Sequence, residues 1–133
     1  MNPAPESAAS TADRVRGAVA AALDRKAHDL RVLHLGPVSD FTDYFLICSG
    51  ASERQVQAIS EAIQESLAAE GVRPLHVEGQ RSGNWVLLDY GDLVAHVFQP
   101  EPRQFYGLER LWSDAADETR KFAGEAAAEP PAS

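Results

Sequence analysis

The strongest constraint on the fold is a pair of strand-like runs separated by two turn-forming residues. The first run covers residues 85–90 and the second covers residues 93–98. Gly91 and Asp92 join them, and a glycine in the first turn position is typical of a type II′ turn. The sequence therefore predicts a tight β-hairpin in which Tyr90 lies opposite Leu93.

Alternation along this hairpin sorts its side chains onto two faces of a sheet. One face is almost entirely apolar and is predicted to receive the helices; it carries Val86, Leu88, Tyr90, Leu93, Ala95 and Val97. The other face, here called the mixed face, combines rings and aliphatic groups with a carboxylate and an imidazole; it carries Trp85, Leu87, Asp89, Val94, His96 and Phe98. We interpret the mixed face as a partly open surface of the sheet.

Periodic apolar residues predict the remaining elements. A first helix is expected over residues 11–26, and a second begins after Ser52 and ends at Gly71. Further strands are expected over residues 30–35, 44–49 and 72–78. The last helix, over residues 103–112, is expected to place Phe105 and Trp112 in the core.

The predicted order is α-β-β-α-β-β-β-α. This order indicates an α/β (α+β-like) fold, because the helices interleave with the strands only in part. The sheet is expected to be mixed and five-stranded, with helices mainly on one face.

Length and composition predict a single domain between two tails. The chain has 133 residues, which suits one domain, assigned here to residues 10–114. Residues 1–9 and 115–133 are rich in Ala, Pro and Ser or Glu and are expected to be disordered. There is neither an apolar run of about 20 residues nor a secretory signal pattern, so we expect a cytoplasmic protein without membrane contact.

The charge balance favours a basic protein as the partner. The formal net charge is −8, and most of it lies between residues 28 and 114. An acidic body is repelled by nucleic-acid phosphates, so direct DNA binding is not expected. Attraction to a basic protein would appear mainly in the rate of association.

The sequence contains only weak candidates for catalytic residues. Cys48, the single cysteine, lies in an apolar run and is interpreted as a buried structural thiol. The four histidines lack metal-ligand spacing, and His96 is interpreted as a hydrogen-bonded structural residue.

A phosphate-transfer site is the main chemical alternative. The strand-to-helix junction at residues 50–52 could present backbone N–H groups to a phosphate, and carboxylate pairs could hold magnesium. The pairs are Asp40 with Asp43 and Asp89 with Asp92, but no Asp-x-Asp follows the junction. A nucleotide-binding or nucleotidyltransferase-like enzyme therefore remains an alternative function, as does a general protein adaptor.

Several sequence blocks resemble the Iojap family of ribosomal silencing factors. They stand in that family's order and spacing: Asp40–Phe45, Ser49-Gly50, Glu78-Gly79, Trp85–Asp92, His96–Phe98 and Arg103–Trp112. The resemblance implies binding to a ribosomal protein on the intersubunit face of the large subunit, which obstructs the small subunit and lowers translation when nutrients are scarce. It also implies a nucleotidyltransferase-like fold without the catalytic carboxylates, no enzymatic activity and no cofactor, and it allows a homodimer of the free factor.

The mixed face and the resemblance indicate the same surface. We expect the ribosomal contact to include all six mixed-face residues with Tyr106 beside them. Trp85 would be an apolar anchor, and Asp89 would accept a hydrogen bond from a basic group of the partner. Leu87 and Phe98 would contribute apolar area that loses water on binding.

Overall fold

The computed structural model of the protein describes residues 10–128. In chain order the elements are α1 (Thr11–Asp24), β1 (His28–His34), β2 (Tyr44–Ser49), α2 (Glu53–Ala69), β3 (His76–Glu78), β4 (Trp85–Asp89), β5 (Leu93–Phe98), α3 (Pro100–Tyr106), α4 (Leu108–Leu111), β6 (Ala116–Asp117) and α5 (Thr119–Ala128). Within these residues, no helix combines the length and the apolar character that crossing a membrane requires.

The strands form one mixed sheet in the order β3-β4-β5-β2-β1-β6. Strands β2 and β5 are parallel, and every other neighbouring pair is antiparallel. The mixed α/β fold is therefore confirmed, but the expected number of strands is wrong, because the sheet has six strands among the described residues. The likeness to nucleotidyltransferases stays a prediction.

The sixth strand and α5 lie in the segment that was expected to be a disordered tail from residue 115. The Val32 N–H donates to the Thr119 hydroxyl at 3.0 Å, and the Tyr44 hydroxyl donates to the Glu118 carboxylate at 3.2 Å. These contacts join residues more than 70 positions apart, so the composition of the segment could not reveal them. The expected disorder of residues 1–9 and 129–133 lies outside the described residues.

The hairpin has the predicted register. Trp85 lies opposite Phe98, and Leu87 lies opposite His96. The Tyr90 N–H donates to the Leu93 carbonyl at 2.8 Å, which closes the two-residue turn. The alternation of side chains between the two faces follows directly from this register.

The apolar face of the hairpin lies in the main core, as predicted. Helices α1 and α2 pack on this side of the sheet, and side chains such as Val15, Ile59 and Leu88 are fully buried there. Cys48 belongs to the same cluster, and burial raises the pKa of its thiol to about 12. At neutral pH the group is a protonated, apolar filler, which agrees with the structural role predicted for it.

One half of the mixed face, on β5, belongs to a second and smaller hydrophobic core. Val94, His96 and Phe98 are buried, so the expectation that this strand is open to solvent is wrong. The chain after β5 crosses this side of the sheet and packs Leu108 and Trp112 against the cluster. The neighbouring strand β4 lies further toward the sheet edge, and its mixed-face side chains stay half-buried.

The last predicted helix is divided in two. Gly107 has a left-handed backbone with φ 60°, which ends α3 and begins α4. The break destroys the helical spacing that would align residues 105–112 in one buried stripe. Phe105 is consequently 79% exposed, against the expectation that it belongs to the core, whereas Trp112 is partly buried as expected.

Candidate protein-docking surface

Contacting rings cross the mixed face of the sheet. On β4, Trp85 stacks on Phe98 with 4.8 Å between ring centroids, and it meets Tyr106 at 4.7 Å. Phe105 contacts Tyr106 edge-on at 5.1 Å. Tyr106 is 54% exposed, so this end of the ring system opens to solvent.

The ring system continues toward the opposite end of the sheet. His96 packs edge-to-face on Phe45 with 4.6 Å between centroids, and Phe45 meets Trp112 at 6.0 Å. Trp112 in turn stacks with Phe41, which is 63% exposed. The rings of His96 and Trp85 lie 6.0 Å apart, which joins the two halves. We call this chain of contacts the aromatic row; it consists of Phe41, Trp112, Phe45, His96, Trp85, Tyr106 and Phe105.

The structure divides the predicted contact residues into two groups. Trp85, Leu87 and Asp89 are half-buried, and Tyr106 lies beside Trp85 as expected. Val94, His96 and Phe98 are buried and support this surface from below. Phe98 is already fully buried, so it has no exposed area left to contribute to a contact.

Trp85 is held in place by the loop that precedes β4. Gly79 has φ +81°, and a Cβ at this position would lie 2.0 Å from the Trp85 carbonyl oxygen. The loop is fixed to α2, because the Gln57 side-chain amide donates to the carbonyls of Gln80 and Arg81 at 3.1 and 2.8 Å. The start of β4 therefore has little freedom to move relative to the helices.

A hydrogen bond fixes the indole ring itself. Trp85 Nε1–H donates to Nδ1 of His96 at 3.1 Å. The imidazole is only 4% exposed, and this burial lowers the pKa of His96 to about 4. The ring is consequently neutral at physiological pH, which leaves Nδ1 free to accept the bond.

Asp89 has a local role in the hairpin. Its Oδ1 accepts from the Gly91 N–H at 2.8 Å, a bond that stabilises the turn. The Asp89 side chain stays half-buried on the mixed face. Recognition of a basic partner group by Asp89 stays a prediction.

An ion pair that the sequence analysis did not identify anchors α3 and α4. Arg103 is buried and donates to both carboxylate oxygens of Glu109, at 3.0 and 2.8 Å, and to the Ser49 hydroxyl at 2.7 Å. The hydrogen bond from Arg103 is the main reason that the pKa of Glu109 is lowered. The pair closes across Gly107, so no helical spacing in the sequence indicates it.

Several of the groups considered for phosphate or metal chemistry have partners within the protein. Asp92 forms an ion pair with Arg14 at 3.0 Å and accepts from the Thr11 hydroxyl at 2.6 Å. At the start of α2, Gln55 Oε1 accepts from the Ala51 N–H at 2.6 Å, where a phosphate would need a free donor. Across residues 10–128, no group of three or more His, Cys, Asp or Glu side chains is placed to hold a metal ion.

The fold and this surface define an α/β protein that presents aromatic side chains from a half-covered sheet. The sequence pattern of the family described as "Ribosomal silencing factor during starvation" matches residues 8–133. The chain therefore belongs to the ribosomal silencing factor family, and the resemblance recognised in its sequence blocks is confirmed.

Individual relatives agree with this assignment. The chain is 44% identical over 98 residues to "Ribosomal silencing factor RsfS" of Bacillus subtilis, covering 74% of this chain and 83% of the relative. It is 34% identical over 95 residues to "Protein Iojap, chloroplastic" of Zea mays, covering 71% of this chain and 41% of the relative. It is 33% identical over 90 residues to mouse "Mitochondrial assembly of ribosomal large subunit protein 1", covering 65% and 40%.

A solved structure has the same fold. The crystal structure of a Chromobacterium violaceum protein superposes with a TM-score of 0.77 at 33% sequence identity. The match covers 79% of this chain and 88% of that chain. The mixed sheet with its helices is therefore shared with a relative of known structure.

Proposed function

We propose that this protein binds a ribosomal protein on the intersubunit face of the large subunit and sterically blocks docking of the small subunit. It would thereby repress translation in the cytoplasm without catalysing a reaction. Membership of the ribosomal silencing factor family supports the ribosome as the target. The name of the mouse relative, which refers to assembly of the ribosomal large subunit, supports the choice of subunit.

The observation that carries the proposal is the half-open aromatic row around Trp85. Large rings dominate the energetics of protein interfaces, because each one removes a large apolar area from water. Trp85 is half-buried in a fixed orientation, and Tyr106 and Phe105 beside it are mostly exposed. Exposed rings that are already ordered suit docking to a protein surface better than they suit contact with water.

Charge supports the same class of partner. The chain carries a net charge of −8. Ribosomal proteins that contact RNA are rich in Lys and Arg, and such a basic protein attracts an acidic one. Attraction between the two would accelerate encounter, while the rings would determine how long the complex lasts. A homodimer of the free factor stays a prediction.

The test compares Trp85→Ala with a matched control. Leu75 is 75% exposed and lies outside the aromatic row, so Leu75→Ala removes a similar class of side chain elsewhere. Purified large subunits are titrated with each protein, and binding is read from sucrose-gradient cosedimentation. Trp85→Ala is expected to weaken binding about 5- to 30-fold, equivalent to about 1–2 kcal/mol, whereas Leu75→Ala binds like the wild type.

Steric obstruction has its own test. Large subunits saturated with the factor are mixed with small subunits, and the formation of joined ribosomes is measured. We expect joining to be suppressed by the wild type without any nucleotide, and to recover with Trp85→Ala. If joined ribosomes form normally while the factor remains bound, obstruction is the wrong mechanism.

A further inference from the structure

We propose that His96 is a positioning residue whose imidazole holds the Trp85 indole in the orientation that meets the partner. The inference rests on the proposed function, since it assigns a role to a buried residue beneath the docking surface. It adds a specific requirement: Nδ1 of His96 must be an unprotonated acceptor.

Among residues 10–128, the imidazole has one hydrogen bond, in which the indole Nε1–H donates to Nδ1 at 3.1 Å. Aromatic rings also pack against it. Phe45 packs edge-on at 4.6 Å, and Phe98 lies parallel at 6.1 Å. With Nδ1 accepting, the neutral ring must carry its proton on Nε2.

Stability alone does not explain a histidine at this position. The Nε2 atom is buried and has no hydrogen-bond partner among the described residues. A buried polar group without a partner is unfavourable, and an apolar ring of similar size would avoid that cost. The imidazole therefore has an unfavourable unpaired N–H on Nε2, and its Nδ1 accepts the hydrogen bond from the Trp85 indole.

Fixing the indole affects docking through conformational entropy. A tryptophan at the rim of a core can adopt several rotamers, and an interface side chain must be ordered before it contributes to binding. The bond that the indole N–H donates to His96 fixes the edge of the indole, while Phe98 and Tyr106 contact its rings. Loss of the bond is expected to weaken binding to large subunits about three- to tenfold, mainly through faster dissociation.

Two substitutions separate the acceptor from the packing. His96→Phe keeps a ring of similar size and removes the acceptor, whereas His96→Asn retains an oxygen acceptor close to the position of Nδ1. Each variant is measured for the indole N–H proton shift and exchange rate in the free protein, and for its affinity for large subunits. We expect His96→Phe to move the indole signal, accelerate its exchange and weaken binding, and His96→Asn to restore both properties in part.

The wild-type protein provides a measurement that no folding defect can obscure. Nitrogen-15 shifts of the His96 ring are expected to show the neutral tautomer protonated on Nε2. A ring protonated on Nδ1 could not accept from Trp85 and would overturn the inference.

The binding data distinguish failure of this inference from failure of the proposed function. If Trp85→Ala weakens binding but His96→Phe binds like the wild type, positioning by His96 is refuted and the docking surface remains. If Trp85→Ala also binds normally, the docking surface and the positioning role fall together. An unchanged indole signal in His96→Phe, or no rescue by His96→Asn in either readout, would also refute the positioning role.

Discussion

Acidification is expected to destabilise this protein through His96 before most carboxylates titrate. Burial lowers the pKa of His96 from its ordinary value of 6.5 to about 4. A proton on Nδ1 would abolish the hydrogen bond from Trp85 and place a charge among the rings of the second core. The folded state therefore resists a protonation that the unfolded chain accepts readily.

The sign and the magnitude follow from linkage between folding and proton binding. Above pH 6.5 both states are neutral at His96, and its contribution to stability is complete. Between pH 6.5 and about 4 the unfolded chain binds a proton that the folded protein does not. The free energy of unfolding therefore falls by up to about 1.4 kcal/mol per pH unit in this window, and by about 2 kcal/mol in total between pH 7.5 and 5.

Urea denaturation at pH 7.5, 6.5, 5.5 and 5.0 measures this loss when the wild type is compared with His96→Phe. The other three histidines of the chain are present in both proteins, so any contribution they make cancels in the difference. The pKa of Glu109 is lowered, so its ion pair with Arg103 is lost only at pH values below the ordinary range for carboxylates. The difference between the two free energies of unfolding should shift by about 2 kcal/mol in favour of the variant as the pH falls from 7.5 to 5. Parallel curves for the two proteins would refute the burial argument.

Two further substitutions test the elements that support the docking surface. Gly79→Ala should reduce the free energy of unfolding by at least about 2 kcal/mol, because the added Cβ meets the Trp85 carbonyl. Gly71→Ala is the control, since Gly71 has a similar φ of +80° but open space around it, and it should lose only about 1 kcal/mol. Equal losses for the two variants in urea denaturation would contradict the clash. Arg103→Met should lower the urea denaturation midpoint by an amount equivalent to about 2 kcal/mol, since it removes the ion-pair partner of the half-buried Glu109. An unchanged midpoint at pH 7, together with unchanged large-subunit binding, would show that the ion pair does not anchor α3 and α4.

Local patterns in the sequence determined the hairpin and the main core. The Gly-Asp turn fixes the register, and a fixed register assigns every side chain of β4 and β5 to one face or the other. The Ser52 cap likewise marks the start of α2, since its side chain accepts from the Gln55 N–H at 3.1 Å. These features involve residues close in sequence, so the chain displays them without its tertiary structure. The blocks that resemble ribosomal silencing factors belong to the same category, because their order and spacing can be read directly.

Only the tertiary structure decided which part of the mixed face is open. Alternation places Trp85 and His96 on the same face, but it does not reveal that β5 lies between β2 and β4 while β4 lies near an edge. Nor does it reveal that the chain after β5 folds back over that face and covers Phe98. Burial depends on which distant segments pack together, and a two-residue repeat contains no information about them. For the same reason the ion pair across Gly107 and the strand beyond residue 115 emerged only from the folded chain.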